Sequence, residues 1–189
     1  MAITLNGSSN TITGLAVGGL PNGIVDTDML ADDAVTAAKR GDGSILQILY
    51  QYYDTEVSTT STSYVDTGLS KSITPLKTGS RIIAIINQHI WFTRDTNAVG
   101  AAVRLMRDST VAFQNAVNYQ TWFTFDSGVT TTNWRGIIPL THYDNHGISA
   151  GTAITYKTQV AAHVSTNSLA MKAQEAGSRS SMTLIEVDA

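Results

Sequence analysis

No cysteine occurs among the 189 residues. Disulfides, thiolate metal sites and cysteine nucleophiles are therefore excluded. A small secreted domain usually relies on disulfides, so this chain must be held by its core or by assembly. Charge is scarce as well: Asp, Glu, Lys and Arg make up 14%, against about 25% in ordinary globular chains. Too few Glu, Lys and Leu are present for a coiled coil or helical bundle. The net charge of −3 argues against a general phosphate-binding surface, so no nucleic-acid partner is expected. No apolar run reaches the roughly 18 residues that span a bilayer, and membrane insertion is not expected. Met1–Asn6 has no basic stretch before an apolar run, so no signal peptide is expected.

Small polar residues fill the gap. The chain holds 26 Thr and 17 Ser. Threonine favours strands because its branched side chain fits a pleated surface. An apolar share of 42% is enough for a sizeable core. These features predict an all-β protein with long polar loops.

Residues 1–43 stand apart, with no aromatic side chain. Ile3-Thr4-Leu5 and Thr11-Ile12-Thr13 read as two short strands around the turn signal Asn6-Gly7-Ser8-Ser9. The next residues fit two readings. Residues 22–31 and 32–41 can be aligned as a ten-residue repeat. Alternatively, one amphipathic helix runs from Thr27 to Lys39 between an Asp26 N-cap and a Gly41 C-cap. In both readings Met29, Leu30 and Val35 form an apolar stripe too small to bury itself. Gly41-Asp42-Gly43-Ser44 reads as a linker. The expected division is 1–44 as an arm and 45–189 as a head.

Beyond the linker, strands are predicted at 45–57, 63–74, 81–93, 98–107, 110–118, 121–125, 133–142, 154–165, 169–174 and 181–187. Arg107-Asp108-Ser109-Thr110 reads as a tight turn. Arg104 between Val103 and Leu105 marks a half-exposed strand. The run Ile82–Ile86 is apolar at consecutive positions and predicts burial on both faces, which requires a third layer that a neighbouring subunit would provide. This number of strands suits an antiparallel β-sandwich of jelly-roll type.

Little catalytic chemistry is legible. There is no Gly-x-Ser-x-Gly elbow and no phosphate loop. His142 and His146 flank Asp144. In an extended strand they would lie about 13 Å apart, and one histidine pair is incomplete for zinc. His89 and His163 sit in apolar strands and read as core or interface histidines. Carboxylates are scattered, and a glycosidase pair drawn from distant strands stays open. No cofactor is expected. Among the aromatics, Trp122, Phe123 and Phe125 read as packing residues. Tyr119, Trp134 and His142 are the candidates for exposed receptor or glycan contact.

Two stretches resemble known proteins. Ile3-Thr4-Leu5-Asn6-Gly7, Gly23-Ile24-Val25 and Met29–Val35 resemble the N-terminal segment of tail-fibre and other virion proteins of phages, cyanophages especially. Thr62–Leu69, Ile73-Thr74-Pro75, Ile82–Ile86 and the closing Met182–Val187 are similar to a domain common in phage fibres. The resemblance implies a homotrimeric, non-enzymatic virion protein made in the host cytoplasm. Its head would be a jelly roll akin to tumour-necrosis-factor and complement heads. Virion attachment would fall to Ile24, Val25, Met29, Leu30 and Val35. The trimer interface would use Leu49, Tyr52, Ile83, Ile85, Trp91 and Leu184. Expected partners are further copies of the chain, other virion proteins of the tail, baseplate or capsid, and a host surface glycan or protein. A capsid decoration or head-fibre role is the alternative, and a glycan-degrading spike a third.

Overall fold

The computed structural model describes residues 4–6, 11–13, 35–36, 39–94, 98–114, 121–124, 132–162 and 170–189. It divides into two compact units, Met1–Thr36 and Ala37–Ala189. The first contains β1 (Thr4–Asn6) and β2 (Thr11–Thr13), antiparallel, with Leu5 opposite Ile12. These are the two short strands expected around the Asn-Gly signal. Residues 14–34 lie outside the described residues, and with them most of the repeat-or-helix question.

The second unit carries β3 (Ile45–Tyr53), β4 (Val57–Thr59), β5 (Val65–Ile73), β6 (Arg81–Arg94), β7 (Ala98–Arg107) and β8 (Thr110–Gln114). After them come β9 (Thr121–Thr124), β10 (Thr132–Asp144), β11 (Ile154–Ala162), β12 (Ala170–Ala173) and β13 (Ser180–Val187). Two antiparallel sheets result. In the first, β6 is central: β10 lies along one side, and β13 followed by β12 lies along the other. Strand β3 pairs with β13, and β4 with β12. In the second sheet the order is β5, β11, β7, with β8 and β9 sharing the far side of β7.

The strand pairs are nested, from the second unit's ends inward to a closing hairpin. β3 meets β13, β5 meets β11, β6 meets β10, and β7 meets β8. First-with-last nesting across two antiparallel sheets is the winding of a jelly roll. The fold class read from composition and strand spacing is the observed one. The expected turn also forms: Asp108 adopts a left-handed φ of 51° between β7 and β8. Val103 and Leu105 are buried while Arg104 is partly exposed.

Side-chain alternation decides what each sheet buries. Along β6, Ile82, Ala84, Ile86, Ile90 and Phe92 face the core with Leu69, Ile73, Leu105, Tyr156, Met182 and Leu184. Ile83 and Ile85 point the other way, and Ile85 is 39% exposed. The chain itself does not supply the third layer, which the expectation assigns to a neighbouring subunit. Only one face is buried, because the sandwich has two layers.

One charged side chain belongs to the interior. Glu186 is fully buried near the end of β13. Its carboxylate accepts hydrogen bonds from the Leu76 and Lys77 backbone N–H groups, the Ser80 hydroxyl and the Gln47 amide. It pins the 74–80 loop to the sheet. Beside it, Lys77 pairs with Asp188. Residues 41–44 are not a free linker. Gly43 N–H donates to the Asp188 carbonyl at 2.8 Å, and Asp188 N–H donates to the Ser44 carbonyl at 2.9 Å.

Candidate functional site

The outer faces of the two sheets differ in chemistry. On the second sheet, Lys157 bonds Asp66 at 2.8 Å, Gln159 bonds Asp66 at 2.6 Å, and Arg104 bonds Gln159 at 2.8 Å. The Arg104 guanidinium lies over the Tyr64 ring at 4.0 Å. Burial pushes the Asp66 carboxyl up, but the Lys157 and Gln159 bonds outweigh it and hold the pKa below the usual range. This is a polar face with its charges paired.

The outer face of the first sheet is apolar. Strand register places its side chains in rows across β3, β13, β6 and β10. One row reads Ile48, Ile185, Ile83, Tyr143, and the next Tyr50, Thr183, Ile85, Thr141. A third reads Tyr52, Ser181, Asn87, Pro139. Ile48, Tyr50 and Tyr143 are 57%, 59% and 57% exposed, and Ile137 is exposed too. The central strands β13 and β6 carry Ile185, Ile83 and Ile85 beside the smaller Thr183 and Ser181, and the tyrosines stand on the flanking strands β3 and β10. Large aligned apolar side chains of this kind mark an interaction face. Burying each isoleucine or tyrosine fully is worth about 1.5–3 kcal/mol. Pro139 places a residue without a donor N–H in the middle of β10, which blunts that strand against edge-to-edge pairing.

Four of the six expected trimer-interface residues share this face: Tyr52, Ile83, Ile85 and Trp91. Leu184 and Leu49 are corrections. Leu184 is 0% exposed within the chain's own core, and Leu49, opposite it, packs on that core. Their strand phase points both inward. Ile48, Tyr50, Ile137, Tyr143 and Ile185 were missed as members of the face. The alternation of 48, 50 and 52 in β3 could have signalled the first two.

Charged groups line the lower end of the face. Arg135 pairs with Glu175 at 2.9 Å, Lys172 lies 5.1 Å from the Trp91 ring centre, and Arg179 caps Tyr52 at 4.5 Å. Burial lowers the His89 pKa, partly offset by nearby Glu175 and reinforced by Arg135. His89 is therefore a neutral imidazole at the edge of the face.

The expected glycan contacts do not gather. Trp134 faces inward, stacked on Phe92 at 5.2 Å, and its ring fills the space that a Cβ at Gly136 would need. His142 also faces inward, stacked on Phe113 at 5.2 Å. Neither is the exposed contact expected of it. Tyr119 lies outside the described residues, as do Ile24, Val25, Met29 and Leu30; Val35 is described and exposed.

Behind His142 lies a closed polar cluster. Arg107 donates to both Asp144 oxygens at 2.8 and 3.0 Å, and the Tyr156 hydroxyl donates to the same carboxylate at 2.7 Å. Burial, then the Asp144 bond and charge, raise the Tyr156 pKa far above its ordinary value. His142 Nε2 stands 4.0 Å from Asp144. Among the described residues no three His, Cys, Asp or Glu side chains gather to hold a metal ion. The cluster is an internal ion pair with its lone pairs occupied.

Fold and face together define the class: a jelly-roll sandwich with one polar and one apolar outer surface. No family model matches the chain, and no curated protein matches it. Among solved structures, the chain is similar to that of infectious bursal disease virus Gt strain, at 13% identity and a TM-score of 0.38, over 77% of this chain and 39% of that one. It is similar also to the T=1 particles derived from infectious bursal virus, at 12% identity and a TM-score of 0.25, over 75% and 40%. A third is the infectious bursal disease virus VP2 subviral particle, at 11% identity and a TM-score of 0.24, over 76% and 38%. The chain spans about two-fifths of the length of each. Likeness at this level assigns no function.

Proposed function

We propose that this chain is a non-catalytic virion structural protein, a homotrimeric phage fibre or spike. Its N-terminal segment attaches it to the particle, and its jelly-roll head contacts the host surface. The observation that carries the reading is the apolar outer face of the β3-β13-β6-β10 sheet, set against the paired charges of the opposite sheet. A single chain leaves that face in water, and further copies would bury it. The phage-fibre resemblance of Ile3–Gly7, Met29–Val35 and Met182–Val187 supplies the setting. Three weak head contacts held on one particle then act together through effective concentration.

The test is mass in solution. Light scattering of the unmodified protein should give three chain masses. Ile85→Asp combined with Tyr50→Ser should give a folded monomer, since both side chains point away from the core. A monomeric unmodified protein would overturn the reading. Density for the trimer at the tail tip supports a fibre or spike; density on the shell makes it a capsid decoration protein instead.

A further inference from the structure

His146 is 4% exposed and follows the last residues of β10. Its Nδ1 accepts the Ile148 backbone N–H at 3.0 Å. That bond requires an unprotonated Nδ1, so the ring is the neutral Nε2–H tautomer. Nε2 is buried and meets no hydrogen-bond partner among the described residues. The segment that His146 organises, 145–153, is tied to the 74–80 loop at two points. Ala150 N–H donates to Thr78 Oγ1 at 3.0 Å, and Gly151 N–H donates to the Pro75 carbonyl at 2.9 Å.

We propose that His146 is an acid-sensitive latch, whose protonation releases the 145–153 loop while leaving both sheets intact. A proton on Nδ1 would set a donor against the Ile148 N–H, and the bond cannot survive it. The imidazolium would also be a buried charge without a free acceptor. Asp144 on β10 and Glu186 on β13 face the ring and favour the cation; Arg107 on β7 and Arg81 on β6 oppose it. Both carboxylates are already occupied, Asp144 by Arg107 and Tyr156, Glu186 by the 76–80 donors and Gln47. Burial, the largest influence, accordingly holds the imidazole below its ordinary pKa. The sign follows: the closed loop excludes the proton that the open loop takes up, so opening becomes easier as pH falls below the ordinary histidine value.

Hydrogen exchange on peptides from 145–153, expressed as protection factors at about pH 7.5 and 5.5, tests this. An open-state imidazole of ordinary pKa implies a loss of protection of about tenfold over that interval. His146→Asn provides the control, because its Oδ1 can accept the Ile148 N–H and does not titrate. Its loop protection should stay level with pH. Equal protection at both pH values in the unmodified protein, or the same loss in His146→Asn, would overturn the latch. Proton NMR of the unmodified protein gives a second reading that needs no variant. The His146 ring should titrate below the ordinary histidine range, and an ordinary value would also overturn the latch.

Discussion

The Thr158 hydroxyl donates to Gln88 Oε1 at 2.7 Å, joining β11 of one sheet to β6 of the other through the middle of the core. The bond is one link in a directed chain. Leu69 N–H donates to Thr67 Oγ1, and Thr67 Oγ1 meets Thr158 Oγ1 at 2.6 Å. Gln88 Nε2 then donates to Ser180 Oγ at 2.8 Å. Gln174 closes the chain with its amide oxygen turned toward Ser180 and Gln88, and its nitrogen toward the Thr67 and Ala173 carbonyls. Ser180 stands where the β6 edge passes from β13 to β12, so its hydroxyl also takes the His89 N–H at 2.9 Å. The network fills a break in the sheet edge with side chains.

Thr158→Val should therefore destabilise the fold by about 2–3 kcal/mol, leaving the Thr67 hydroxyl proton and Gln88 Oε1 without their partner in the core. Thr158→Ser keeps the hydroxyl and should lose less than half as much. Urea melts of the two variants check the ordering. Equal losses would show that the methyl group, not the hydroxyl, matters at this position.

Glu186→Ala should be the more damaging change. It leaves four donors around a buried site: two backbone N–H groups, the Ser80 hydroxyl and the Gln47 amide. A loss of about 3–5 kcal/mol is expected from removing one side of a buried charged network. Exchange of the Leu76 and Lys77 amides should accelerate with it. A melt within about 1 kcal/mol of the unmodified protein, the scale of an ordinary single hydrogen bond, would mean that the 74–80 loop holds without its carboxylate.

Gly68 and Gly79 separate two costs of a side chain. Both are left-handed, with φ of 85° and 87°. An added Cβ at Gly68 would overlap the Tyr53 ring, whereas at Gly79 it meets nothing within 4 Å. Gly79→Ala should cost about 1 kcal/mol from backbone strain alone. Gly68→Ala should cost clearly more, and the excess should shrink when Tyr53 is shortened to Leu. Thermal melts of the three variants give the comparison; equal costs for the two glycines would show that the Tyr53 ring moves aside freely.

Strand positions were legible because Thr, Ile and Val runs end at Gly, Asp and Ser turns, so the observed Ala98–Arg107 and Ile154–Ala162 lie within or on the expected ranges. One expected strand, 45–57, is two. Ile45–Tyr53 pairs with β13 and Val57–Thr59 with β12, a division set by partners more than a hundred residues away. Facing was harder. Ile83 and Ile85 look like core residues by type, and only the two-layer architecture turns them outward. Trp134 and His142 look like contacts beside polar neighbours, but the register of β10 against β6 points both inward. Period-2 reasoning cannot fix which phase is inside until the pairing is known. The apolar face was visible as composition, and its true membership only as register.

The division of the chain sharpens the last prediction. All eleven strands of the two sheets lie within Ala37–Ala189. Deleting residues 1–36 should therefore leave the head's melting transition unchanged. Deleting 1–44 should lower it, because it also removes Arg40, whose guanidinium bonds the Ile45 carbonyl at 3.0 Å. The two backbone bonds between Gly43-Ser44 and Asp188 go with it. Three ordinary hydrogen bonds suggest a loss of about 1.5–3 kcal/mol. Under the attachment reading, both truncations should be missing from purified particles, because Met29, Leu30 and neighbouring apolar residues go with either. Leu30→Ser with Val35→Ser should weaken incorporation without moving the melt. If heads lacking 1–36 still occupy particles at the normal level, attachment resides in the head.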